Sequence, residues 1–171
     1  MSASKDSEMG GSGDAGVVRQ EPGLAPVTAA ETRPLRRAVL RPNQPPEACV
    51  YPGDDDDRTG HLGVFVDTGA EAPALVGVAS IFEESRPGTT GGGWRIRGMA
   101  VVPEQQGKGH GAALLTECLE HARRHGGIEV WCNARKTAAE FYAHHGFEQE
   151  GEEFELPAIG PHYLMRCGLE R

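Results

Sequence analysis

A chain of 171 residues is long enough for one domain that buries a hydrophobic core. Its formal charge of −8 argues against nucleic acid as the main partner, because neutralising phosphates needs a basic face. No apolar run approaches the roughly 20 residues that cross a bilayer, and no signal-peptide stretch of about 7–15 apolar residues follows the first methionine. A soluble, cytoplasmic protein without a membrane partner is expected.

Residues 1–15 are rich in Ser, Gly, Asp and Lys with almost no large apolar side chain, which predicts a disordered tail ahead of a single domain over 16–171. Residues 16–20 read as a short first strand. Thr28-Ala29-Ala30-Glu31 is a capping-box pattern that opens a helix over 28–40, with Leu35, Ala38 and Val39 facing inward and Pro34 as a kink or a later start. Residues 41–60 form a Pro-, Asn- and Asp-rich loop that carries the run Asp54-Asp55-Asp56-Asp57.

The period then changes to extended. Residues 62–66 and 75–82 are β-rich, separated by a turn, and 94–102 is a third strand after a loop that ends in Gly91-Gly92-Gly93. A helix over 109–125 follows, with Leu115, Cys118, Leu119 and Ala122 at helical spacing, closed by Gly126 and Gly127. Residues 128–132 form a compact strand. Thr137-Ala138-Ala139-Glu140 reads as a second capping box for a short helix that Gly146 ends, and 147–156 and 162–169 are the final strands. This order implies a mixed antiparallel and parallel α/β sheet flanked by helices. No repeat of 20–50 residues is present.

Four cysteines (Cys49, Cys118, Cys132, Cys167) form no CxxC pair, so neither a disulfide nor a zinc framework is expected. His121 and His125 stand four apart, yet no third ligand accompanies them and no metal is expected. Trp94 and Trp131 read as packing residues.

Chemistry concentrates after Pro103, where a strand runs through Gln106-Gly107-Lys108-Gly109-His110-Gly111-Ala112 straight into a helix. Glycines permit φ > 0 and close approach, so successive amides can converge, and the helix N-terminus adds partial positive charge. That combination suits a diphosphate. It is not a P-loop, which needs GxxxxGK followed by Ser or Thr, and the third glycine comes one residue early for a dinucleotide fingerprint.

The stretch from Gln106 to Gly111 resembles the Q/R-x-x-G-x-G/A signature of the GNAT acetyltransferases. The downstream segment from Ala138 through Phe141, Tyr142, Gly146 and Phe147 resembles that family's A-x-x-x-Y-x-x-x-G-F element. Ile159-Gly160-Pro161-His162 is similar to the end of a branch that includes ElaA-like proteins. The resemblance covers about 94–169. It implies a GNAT-like fold and acetyl transfer from acetyl-CoA, as co-substrate, to an amine of a small molecule or peptide by direct attack.

The same resemblance implies residue roles. Amides of Gln106, Gly107, Lys108, Gly109, His110, Gly111 and Ala112 hold the pyrophosphate. The backbone of Met99, Ala100 and Val101 pairs with the pantetheine arm. Tyr142 protonates the departing thiolate. Where the family often has an asparagine, seven residues before this tyrosine, the chain has Arg135, and Asn133 is the substitute. A glutamate base used by histone-type members is absent, since Arg95 and Arg97 stand at that level. Glu83, Glu84, His162 or a water chain remain as the base. The negative charge and Asp54–Asp57 suggest a cationic acceptor. An inactive coenzyme A sensor and a nucleotide binder of another fold are the alternatives. The oligomeric state stays open, a homodimer included.

Overall fold

Seven extended segments join into one sheet in a computed structural model that describes residues 22–170. The expected tail at 1–15 and strand at 16–20 lie outside the described residues. The strands are β1 (Gly23–Pro26), β2 (Gly60–Val66), β3 (Ala74–Glu83), β4 (Gly93–Val101), β5 (Glu129–Arg135), β6 (Glu148–Leu156) and β7 (Gly160–Gly168). Their spatial order is β1-β2-β3-β4-β5-β7-β6. Neighbours are antiparallel except β4 and β5, which the helix α2 (His110–Arg124) connects as a parallel crossover.

Helices cover both faces, as the alternation of strands and helices implies. Leu114, Leu115, Cys118 and Ala122 of α2 are fully buried against Ala79, Ile81, Ile96 and Val130. The opposite face of β3 carries Val78, Ser80 and Phe82, and there α1 (Ala29–Leu35) and the segment around Tyr51 pack. α3 (Ala139–His144) brings Tyr142 into the core beside Phe147.

Three local expectations change. The helix expected over 28–40 starts at its capping box, with Thr28 N–H donating to Glu31 Oε2 at 2.6 Å and Glu31 N–H to Thr28 Oγ1 at 3.2 Å. It ends as α-helix at Leu35, next to Pro34, and continues as a π turn, Arg36–Leu40. Proline lacks the N–H and its ring crowds the preceding turn, so the regular ladder is lost there. The inward face shifts accordingly: Thr32 and Arg36 are buried, Leu35 and Val39 are half-buried, and Ala38 is exposed.

The second capping box does not form. Lys136–Ala138 is a 3₁₀ turn, and α3 begins without any side-chain cap. Within the loop over 41–60, Pro46–Cys49 is a 3₁₀ turn, and Asp54 is buried while Asp55, Asp56 and Asp57 are exposed.

Candidate active site

The cleft exists because β4 and β5 part company. They pair over Gly93↔Glu129, Trp94↔Val130 and Arg95↔Trp131, and no further. Beyond that point β4 keeps its bonds to β3, through a bulge around Gly98, whose φ is +66°. β5 keeps its bonds to β7. A cleft of about 290 Å³ opens between the diverging strands, lined from Gln106 at one end to Arg41 and His162 at the other.

Val102 N–H donates to Val76 O at 2.9 Å, so Val101 next to it turns its backbone away from β3 and toward the gap. Met99 follows by alternation. Both are placed to add an extended arm to the free edge of β4, and Ala100 turns toward β3 between them. Gln106 Nε2 donates to Val101 O at 2.9 Å, which ties the glycine loop to that edge. Gly107 and Gly109 hold φ of +75° and +86°, and Gly109 is the N-cap of α2 with no side chain bonded to the first-turn amides. Free amides at the start of a fifteen-residue helix make an anion site with the partial positive charge of the helix behind it. Lys108 is exposed beside the loop, and His110 and Ala112 are half-buried in the first turn. His110 Nε2 lies 3.3 Å from Gln105 Oε1. The residues fit a coenzyme A pyrophosphate and arm.

Tyr142 lies midway along the cleft, 6% exposed, with its hydroxyl 3.8 Å from Met99 Sδ. Burial first, and then the neighbouring Cys132 and Cys118, push its phenol well above the usual range, so it is a proton donor at neutral pH. Burial likewise pushes the Cys132 thiol up to about 12, which leaves it unreactive as a nucleophile. Asn133 lines the same wall from β5, half-buried.

At the other end, His162 is 3% exposed, and its Nδ1 lies 2.7 Å from Gly160 O. A carbonyl only accepts, so Nδ1 carries the hydrogen, and Nε2 of the neutral ring is left as an acceptor. Arg135 stands across the strand pair from it, and Arg41 and Arg97 line the same cleft. Among the described residues none of the three has an acidic partner. Arg135 donates to Leu40 O at 2.6 Å, Arg41 Nε is buried without a partner, and Arg97 rests on the Tyr51 ring at 4.4 Å. Burial lowers the affinity of Arg97 and of Arg135 for their protons; neighbouring arginines, Arg41 among them, add to this, while Tyr51 and, for Arg97, Glu84 oppose it. Arg95, deeper in the cleft, is held by Glu84 at 2.9 Å and stacks on Trp131.

Glu83 is not brought into the cleft. It is exposed and ion-paired with Arg58 at 3.0 Å, because the end of β3 turns it outward. Glu84 is engaged by Arg95. Of the three side chains, that leaves His162 as the candidate base in the cleft, with a water chain as the alternative. Nor does the negative net charge extend there: among the described residues no carboxylate lines it, and Asp54 faces away to bond Arg36. His121 and His125 stack on each other at 4.3 Å and against Trp94, and they bond to backbone carbonyls. The sequence reading passed over Arg41 and Tyr51, and it met Arg97 and Arg135 only as departures. The available signal was arginine at 135, where the family often has asparagine, and at 95 and 97, where a glutamate base is absent.

The splayed β4–β5 pair and the uncapped glycine-loop helix define an acyl-CoA-binding fold, and the comparisons agree with it. A family model described as an acetyltransferase (GNAT) domain matches residues 66–166. The chain is 35% identical over 141 residues to the uncharacterized N-acetyltransferase YitI of Bacillus subtilis (strain 168), covering 81% of this chain and 91% of that one. Among solved structures it is similar to Escherichia coli ElaA, with TM-score 0.67 and 20% identity over 86% of this chain and 99% of that one. It is also similar to an aminoglycoside 6'-N-acetyltransferase complexed with coenzyme A, with TM-score 0.61 and 15% identity over 86% and 98%. The chain belongs to the GNAT acetyltransferase family. It is an acyltransferase whose co-substrate is acetyl-CoA. No helix among the described residues is long and apolar enough to cross a membrane.

Proposed function

We propose that this chain acetylates the amine of a small acceptor that carries an anionic group, by direct attack within a ternary complex. One observation carries the reading. Arg41, Arg97 and Arg135 line one cleft with His162, and among the described residues none of the three is ion-paired. Unneutralised cations held partly out of water are costly unless a ligand completes them. A carboxylate or phosphate answers that need, and arginine matches both in planar, two-point fashion. A cationic acceptor would meet repulsion at the same place, so the acidic composition of the chain is not a guide to its substrate.

Each residue then has a task. The amides from Gln106 to Ala112 hold the pyrophosphate, and the free edge of β4 at Met99 and Val101 aligns the pantetheine arm. The arginines orient the acceptor by its anion. His162 Nε2 accepts a proton from the amine as nitrogen bonds to the thioester carbon. The carbon–sulfur bond breaks, and Tyr142 delivers its proton to the leaving thiolate. Each proton transfer of this kind typically contributes about 10²–10⁴-fold. The unreactive Cys132 supports direct attack over an acyl-enzyme route.

The test is coenzyme A release from acetyl-CoA with O-phosphoserine, aspartate and glycine set against ethanolamine and putrescine. The anionic amines should exceed ethanolamine in kcat/KM by about tenfold or more, since a charged hydrogen bond contributes about 1.5–3 kcal/mol. Putrescine should rank last. A reversed or flat ranking rejects the anionic acceptor. Acetyl-CoA binding with no transfer to any amine would indicate a coenzyme A sensor instead.

A further inference from the structure

Behind Tyr51 of the cleft wall lies a buried ion pair that does not itself line the cleft. Arg36 and Asp54 have side chains 0% and 1% exposed and are joined twice, Nη1 to Oδ2 at 2.9 Å and Nη2 to Oδ1 at 3.0 Å. Arg36 also donates to Cys49 O at 2.9 Å and to Ser80 Oγ at 2.8 Å. Asp54 also accepts from the Tyr51 amide at 2.9 Å. His61 bridges Ser80 Oγ and Asp54 O, at 2.6 and 2.8 Å. For stability alone, a pair so deeply desolvated is often no better than well-packed apolar residues. Its place in the fold gives it a further role.

The Arg36 guanidinium lies 4.0 Å from the centroid of Tyr51, and the Arg97 guanidinium lies 4.4 Å from the same centroid. One phenol ring thus carries both guanidinium groups. The strand bends to admit this stack. A methyl group on Gly98 would sit 3.0 Å from both Arg36 Nε and Tyr51 Cε2. Arg97 has neither a hydrogen bond nor an ion pair among the described residues, so the ring is what orients its head group. Asp54 neutralises Arg36 through two direct bonds, whereas the one carboxylate that acts on Arg97 among the described residues, Glu84, does so without an ion-pair contact.

We infer that Asp54, Arg36 and Tyr51 are positioning residues that act through the Tyr51 ring to aim Arg97 at the anion of the acceptor. The inference rests on the proposed transfer to an anionic amine. Its closing experiment compares Tyr51→Leu with Tyr51→Phe, the second keeping the ring face that bears the cation. Tyr51→Leu should raise KM for O-phosphoserine by about five- to tenfold, with kcat within about twofold and the acetyl-CoA KM unchanged. Tyr51→Phe should restore it, and in Tyr51→Leu the loss of kcat/KM should be several-fold larger for O-phosphoserine than for ethanolamine. Equal losses on both amines, or no loss on either, overturn the positioning role. Failure of the wild type on every anionic amine is a different result, and it rejects the acceptor reading. A crystal structure of Tyr51→Leu decides the positioning without turnover. The Arg97 guanidinium should be displaced while Arg41 and Arg135 keep their places, and an unmoved Arg97 ends the proposal.

Discussion

The two ends of the cleft are built from different materials. The end we assign to coenzyme A is backbone: the free edge of β4, two left-handed glycines and the first amides of α2, nearly all within residues 99–112. The acceptor end is side chain: Arg41, Tyr51, Arg97, Arg135 and His162, drawn from five separate segments. A backbone site tolerates changes of side chain as long as the dihedrals survive, whereas a side-chain site depends on packing several layers deep.

The sharpest way to break this comparison is Asp54→Asn. Removing one member of a buried pair typically destabilises by about 3–5 kcal/mol, so the urea midpoint should fall strongly. Asn at Asp55, Asp56 and Asp57 together should leave it unmoved. Burial pushes the Asp54 carboxyl up, but the bonds from Arg36 and from the Tyr51 amide outweigh it and hold the group below its ordinary 3.8. A lowered folded-state value means that stability is fully present above the unfolded value and is lost as pH falls through the folded one. The wild type should therefore lose stability below about pH 4, and Asp54→Asn should lack that component. Identical acid profiles would remove Asp54 from its structural role.

Next comes Gly109→Asp. It places a carboxylate beside the expected pyrophosphate in a backbone conformation of φ +86°. Acetyl-CoA affinity should fall by about 100-fold or more, read as loss of the ligand-induced rise in Tm. The strain itself is about 1–2 kcal/mol and should lower the apo Tm by only a few degrees. A smaller effect is expected from Arg97→Met, which keeps length and removes charge. KM for O-phosphoserine should rise about tenfold with the acetyl-CoA KM unchanged. If both KM values rise together, the two ends are not separable. The smallest is Gly111→Ala. The added methyl meets Phe141 at an ordinary 3.4 Å, so activity and Tm should stay within about twofold and 2 °C.

The same contrast decides what the sequence discloses. Strand, glycines and helix start sit side by side in the chain, so the coenzyme A end was readable as one motif, and with it the order of most elements. The acceptor end was not, because Arg97 and Arg135 look like solvent-facing strand residues until β4 and β5 are known to diverge. Asp54 looked like one of four solvated acids. Seeing its burial requires Arg36 to face inward, and the apolar pattern of Leu35, Ala38 and Val39 pointed the other way. Pro34 and the widened turn after it reset that facing. β1 also went unseen, since a four-residue edge strand containing Gly and Pro leaves no periodicity. β7 lies between β5 and β6, although it comes last in the chain. Local patterns do not encode such an insertion.

The π turn at Arg36–Leu40 also bears on how substrate preference drifts over generations. Its bonds reach one residue farther than those of an α-helix, so it amounts to one surplus residue carried in a helical turn. Each helical residue advances about 100° around the axis. Losing Ala38, which with Arg37 is exposed in that turn, would let the turn tighten and swing Arg41 away from the cleft wall. Arg97 and Arg135, anchored on strands, would stay. A single indel thus offers a route to a new acceptor that bypasses point substitution in the binding surface. Deleting Ala38 should reorder the amine panel while leaving the acetyl-CoA KM intact, and an unchanged ranking would show that Arg41 takes no part in selection.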